Sequence, residues 1–126
     1  MERATVTAPG APAAIGPYSH AVRAGDLLFC SGQVPLDADT GELVEGDAAT
    51  QARVCLANLE AVCAAAGAEL RRAVRMTVYL TDMGDFAAVN EVYGEHFDDQ
   101  PPARVAIGVA ALPKGARVEV DAVVAL

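Results

Sequence analysis

Five polar residues, Tyr18, Ser31, Asn90, Arg104 and Glu119, are what the chain offers for chemistry once its motifs have been searched. It has no GxSxG, no P-loop, no GxGxxG and no HExxH. Arg104 stands out among the five. It is the only charged residue of "PPARVAIGVA", a small and apolar stretch that reads as a strand. A guanidinium there is a solvated edge residue, half of a structural ion pair, or a handle for an anion. Its planar fork of donors can hold a carboxylate through two charge-assisted hydrogen bonds, which a lysine cannot match. Recessing it without an anion is costly. Glu119 is one candidate partner. In a simple hairpin turning at Lys114, however, Arg104 pairs near Val124, leaving Glu119 roughly 16 Å away along the strand. For the two to meet, the strands must not be hairpin partners, or the residues must come from different subunits. Each remaining member has a plain alternative: a strand-end turn for Ser31, a solvent-facing helix flank for Asn90, a solvated strand position for Glu119.

The other reactive side chains read as structural. His96 sits near the end of a predicted helix, where a cation complements the helix dipole. His20 follows "GPYS" and either packs or lines a site. "DADTGE" lacks the later oxygen ligands of a calcium loop and reads as a turn. Cys30, Cys55 and Cys63 form neither a disulfide framework nor a zinc pattern, so they read as buried thiols. No metal and no cofactor is implied.

Length and composition narrow the classes. The 126 residues fit one domain, 1–126, and 53% are hydrophobic, mostly Ala and Val, too many for a disordered chain. Seventeen acidic against nine basic residues give a net charge of −8, with no basic stripe. That argues against nucleic acid and anionic membranes as partners. No apolar run approaches the roughly 20 residues of a membrane helix, and "MERATVTAPG" does not resemble a signal peptide. The expected location is the cytoplasm.

The elements that must position the five residues follow from periodicity. "ATVTA" reads as a short strand, and "AVRAGDLLFCSG" as two strands around a Gly25-Asp26 turn. Asp47 caps a helix ended by Gly67, with Ala52, Cys55, Leu56, Leu59, Val62, Cys63 and Ala66 as its apolar stripe. "AVRMTVYL" alternates as a strand, placing Val74, Met76, Val78 and Leu80 on the core side. "DFAAVNEVYGEHF" reads as a second helix with Phe86, Val89, Tyr93 and Phe97 inward. "ARVAIGVAA" and "RVEVDAVVA" are the closing strands. The order β-β-β-α-β-α-β-β predicts an α+β fold, a single mixed sheet with both helices on one face. Alternation assigns Val105, Ile107 and Val109 to the space beneath the helices. It assigns Arg104, Ala106, Gly108 and Ala110 to the helix-free face, which is too sparsely polar for solvent alone and is expected to be covered by another copy of the chain.

"APAAIGPYS", "LLFCSGQVPLDADTGEL", "TVYLTDMGDFAAVNEVYGEHF" and "PPARVAIGVAALPKGARVEVDAV" together resemble, in order and spacing, the RidA/YjgF family of enamine/imine deaminases, over nearly the whole chain. The resemblance implies a chorismate-mutase-like subunit, a barrel-shaped homotrimer and sites in clefts between subunits. It implies hydrolysis of 2-imino acids such as 2-iminobutanoate and 2-iminopropanoate to 2-oxo acids and ammonia. Carried over on the matching positions, Arg104 grips the substrate carboxylate, helped by the backbone N–H of Ala106. Glu119 positions or activates water, with Tyr18. Ser31, Gly32 and Asn90 line the cleft. Many members carry Cys where this chain has Ala106, so the chemistry should not need a thiol there. The contrasting reading is a non-enzymatic trimer that binds a carboxylate metabolite or acts as a chaperone. A pathway-specific deaminase or hydrolase of the same family is a third.

Overall fold

Asp47 and Gly67 bracket the longer helix as their chemistry predicts. In the computed structural model, which describes residues 1–97 and 99–126, the Asp47 carboxylate accepts the Thr50 N–H at 2.8 Å and opens α1 (Ala48–Ala65). At its other end Gly67 adopts φ +70°, an angle that favours a residue without Cβ. The N–H groups of Ala68 and Gly67 return to the carbonyls of Cys63 and Ala64 at 2.8 and 3.0 Å, a Schellman closure. All seven residues of the predicted stripe are buried. Each large aliphatic side chain so buried contributes roughly 1.5–3 kcal/mol, so tertiary packing rather than helix propensity holds α1.

The strands are β1 (Arg3–Val6), β2 (Ala21–Ala24), β3 (Leu27–Gln33), β4 (Ala73–Leu80), β5 (Ala103–Gly108) and β6 (Val118–Ala125), with α2 (Phe86–Gly94) between β4 and β5. They form one six-stranded sheet in the order β1-β2-β3-β6-β4-β5. β4 and β5 are parallel, and every other neighbouring pair is antiparallel. The fold is the expected α+β one, with α1 lying over β3 and β6 and packed against α2. Leu56, Leu59 and Val62 of α1 meet Leu28, Met76, Leu80, Val118, Val120 and Val124 of the sheet in the core.

Register corrects two sequence expectations. β5 and β6 are not a hairpin, because β4 lies between them. Arg104, Ala106 and Gly108 stand beside Met76, Val78 and Leu80 of β4, which are buried on the helix side. Arg104 is therefore on the helix face, and Val105 and Ile107 are on the open face, at 38% and 45% exposure. The expectation had these faces reversed. Gly108 confirms the placement, since a Cβ there would meet Met83, just before α2, at 3.1 Å. The second correction concerns Val74, expected inward but exposed. A bulge between Ala73 and Arg75 makes Val74 the extra residue, so Ala73 takes the inward place.

The open face carries three cross-strand rows: Phe29, Val123 and Arg75; Val105, Thr77 and Asp121; Ile107, Tyr79 and Glu119. Each row carries one charged residue, but Phe29, Val105 and Ile107 stand exposed beside them, more apolar surface than an ordinary solvated face presents.

Buried amides tie the loops to α1. Gln51 donates to the Val44 carbonyl at 3.1 Å and accepts the Arg117 N–H at 2.8 Å, and Asn58 donates to the Leu36 carbonyl at 3.0 Å. Replacing Gln51 with Ala strands one backbone donor and one acceptor. Each such loss costs about 1–3 kcal/mol, so urea unfolding of Gln51→Ala is expected to show a stability about 2–4 kcal/mol lower. A loss under about 1 kcal/mol would reject this role for Gln51.

Candidate active site

The polar residues gather in two places, on opposite sides of the sheet. On the first side Tyr18, Ser31, Gly32 and Glu119 line one cleft of about 340 Å³, walled by Ile15, Val34 and Pro113. The loop that brings Tyr18 here is anchored by His20. The Ala8 N–H donates to its Nδ1 at 2.9 Å, so Nε2 carries the proton and donates to the Pro12 carbonyl at 2.8 Å. His20 is buried and is outside the cleft; it buttresses the loop. The Ser31 N–H donates to the His20 carbonyl at 3.0 Å, and its hydroxyl donates to the Ser19 carbonyl at 2.6 Å. With its proton committed, Ser31 Oγ is left to accept a hydrogen bond from a ligand N–H. The Tyr18 hydroxyl oxygen accepts the Ile15 N–H at 3.4 Å, so its own proton remains available to donate.

Glu119 reaches this cleft because residue 32 has no side chain. A Cβ on Gly32 would sit 2.0 Å from Glu119 Oε2, far inside contact distance. Partial burial, then the negative charge of Asp121, pushes the Glu119 carboxyl above the ordinary glutamate range. Tyr79 donates to Asp121 Oδ2 at 2.8 Å, which holds that neighbouring charge in place. A half-buried carboxylate with a raised proton affinity is a better base toward water than a solvated one.

On the second side Arg104 lies against α2. Its Nη1 donates to Asn90 Oδ1 at 2.6 Å, and its guanidinium carbon stands 5.4 Å from the Phe86 ring centre and 4.9 Å from that of Tyr93. Among the described residues no carboxylate forms an ion pair with it. Ala106 follows two residues on, on the same face of β5. Among the described residues the guanidinium is thus exposed, pairs with no carboxylate and has donors to spare.

These two groups do not meet within one chain. Arg104 pairs with Met76 of β4 and Glu119 with Tyr79, so they are two strands and three residues apart, about 14 Å between α-carbons. They also point to opposite faces. Sequence reasoning had named every polar member of both groups, but it missed the apolar wall of Ile15, Val34 and Pro113, which carries no motif. It placed Phe86 and Tyr93 inward, and Tyr93 is indeed in the core with Phe86 packed against it; helical spacing could not show that both rings also lie under a guanidinium. His96 follows α2 as expected, with Nδ1 3.2 Å from the Val92 carbonyl and Nε2 3.2 Å from Glu60. All three cysteines are buried thiols, and desolvation pushes Cys55 far up.

The profile of the endoribonuclease L-PSP family matches residues 8–126. Protein DfrA of Myxococcus xanthus is 52% identical over 125 residues, 98% of this chain and 95% of that protein. The 2-iminobutanoate/2-iminopropanoate deaminase of Mus musculus is 46% identical over 121 residues, 96% of this chain and 90% of that one. Among solved structures, RidA from an Antarctic Psychrobacter superposes with a TM-score of 0.93 at 43% identity, covering 98% of this chain and 99% of that one.

The close approach at Gly32 has a measurable consequence. Gly32→Ala is expected to expel the Glu119 carboxylate into solvent and move its titration, followed by carboxyl ¹³C NMR, down toward the ordinary glutamate value of about 4.3. A titration as raised as in the parent protein would reject the dependence of Glu119 on Gly32.

Proposed function

The chain belongs to the endoribonuclease L-PSP family, the RidA/YjgF proteins, and from that premise we propose that it hydrolyses small 2-imino acids to 2-oxo acids and ammonia in sites shared between its own copies. The observation that carries this reading is the uncompensated Arg104, held by neutral groups on one face of the sheet while Glu119 lines a cleft on the other. A substrate of six or seven heavy atoms, the size of 2-iminopropanoate or 2-iminobutanoate, cannot span both within one chain. The reading therefore requires Arg104 of one copy beside Glu119 of the next, and a ring of three copies covers the apolar rows of the open face.

In such a site Arg104 clamps the substrate carboxylate, with the Ala106 N–H and Asn90 beside it. The imine carbon is already electrophilic, so neither a metal nor a covalent nucleophile is needed. Glu119 takes a proton from water as its oxygen bonds to that carbon. Glu119 or Tyr18 then protonates the nitrogen of the resulting carbinolamine. The C–N bond breaks and ammonia leaves as the carbinol O–H gives its proton back to the group just deprotonated, and the C=O forms. Ser31 Oγ, with its proton committed to Ser19, accepts from the substrate N–H. Positioning with general acid–base help of about 10²–10⁴-fold is sufficient for a reaction already fast in water.

The decisive assay generates 2-iminobutanoate in situ with a threonine dehydratase and follows release of 2-oxobutanoate. The protein should accelerate release, and Arg104→Ala should lower kcat/KM by about 10²-fold or more, as expected for losing a charge-assisted clamp on the substrate carboxylate. No acceleration, or full activity in Arg104→Ala, overturns the deaminase reading and favours a carboxylate-binding module.

Light scattering should return about three times the chain mass of 12.9 kDa. Co-refolding inactive Arg104→Ala with inactive Glu119→Gln should restore activity, because some mixed sites regain both groups. A monomer in solution, or no restoration on mixing, sinks the shared site.

A further inference from the structure

Arg104 is an exposed, long side chain on an edge strand, yet a carboxylate clamp requires its fork to be fixed. The usual device is a carboxylate counterion. With 17 acidic residues and a net charge of −8, the chain has an ample supply, but none pairs with Arg104 among the described residues. What holds it comes from one stripe of α2. Phe86, Asn90 and Tyr93 are spaced i, i+4, i+7, which aligns them along a single helix face. They contribute a ring at 5.4 Å, a side-chain carbonyl at 2.6 Å and a second ring at 4.9 Å.

We propose that Phe86 and Tyr93 are positioning residues: their ring faces form a neutral cradle that orients the Arg104 guanidinium for a carboxylate without spending its charge. The inference rests on Arg104 being the carboxylate clamp. Ring faces attract the cation through their quadrupole within about 6 Å of the centroid. They do not compete for the in-plane N–H donors, of which Asn90 uses one, on Nη1. An acidic partner would both neutralise the charge and occupy the fork that a substrate needs. Tyr93 supports a packing role for its ring rather than its hydroxyl, which is buried with no hydrogen-bond partner.

The test measures binding of 2-oxobutanoate by calorimetry, alongside kcat and KM for 2-iminobutanoate. Phe86→Leu, which keeps most of the volume and loses the quadrupole, should weaken 2-oxobutanoate binding about three- to tenfold and raise KM similarly with little change in kcat. Phe86→Tyr should rescue both. Replacement of Phe86 by pentafluorophenylalanine, nearly isosteric but with its quadrupole reversed, should weaken binding at least as much as Leu and provides the readout if the Leu variant melts early. Unchanged binding in the fluorinated protein, or a loss confined to kcat, overturns the cradle. A protein that binds 2-oxobutanoate in a Phe86-dependent way but hydrolyses no imine keeps the cradle and discards the deaminase. A parent protein with no affinity for 2-oxobutanoate overturns both.

Discussion

A sheet covered by helices on one side only has two inequivalent faces, and every strand divides its side chains between them. That alternation governs the whole molecule. It places Met76, Val78 and Leu80 in the core beside Arg104, Ala106 and Gly108, and it sends Val105, Ile107, Tyr79 and Glu119 to the open side. The two chemically promising groups, a cation and a base, are separated by the thickness of the sheet. Within one chain they cannot touch the same small molecule.

Each group is prepared locally by something other than charge pairing. Glu119 owes its place to a missing side chain at Gly32 and its raised proton affinity to partial burial with Asp121 nearby. Arg104 is held by an amide and two rings. Among the described residues no carboxylate neutralises it, and in a chain of net charge −8 the attraction of an anion depends on such local geometry. The His20 buttress and the Ser31 hydrogen bonds fix the loop that brings Tyr18 to the Glu119 cleft.

Much of the fold was legible in the residues. Asp47 and Gly67 announced both ends of α1 because a cap and a left-handed C-terminus are local chemistry. The stripe from Ala52 to Ala66 announced its buried side. Tyr18, Ser31, Gly32, Asn90, Arg104 and Glu119 could be named through the family resemblance. Val74 was misplaced because a bulge adds one residue and shifts the phase of the alternation, and no residue type marks it. Phe86 and Tyr93 were rightly placed inward, but periodicity registers burial, not the guanidinium that lies on the far side of a ring.

The reversal on β5 marks the boundary between the two kinds of information. Alternation in "ARVAIG" established that Arg104, Ala106 and Gly108 share a side and that Val105 and Ile107 share the other. A period of two carries no sign, so the branched residues were assigned to the core by the preference of apolar side chains for burial. That preference fails where the second face is itself apolar. The local sequence determined the elements, their caps and which residues travel together. Only the pairing of β5 with β4, a long-range contact formed after α2 crosses over, decided which face each set occupies and kept Arg104 and Glu119 apart.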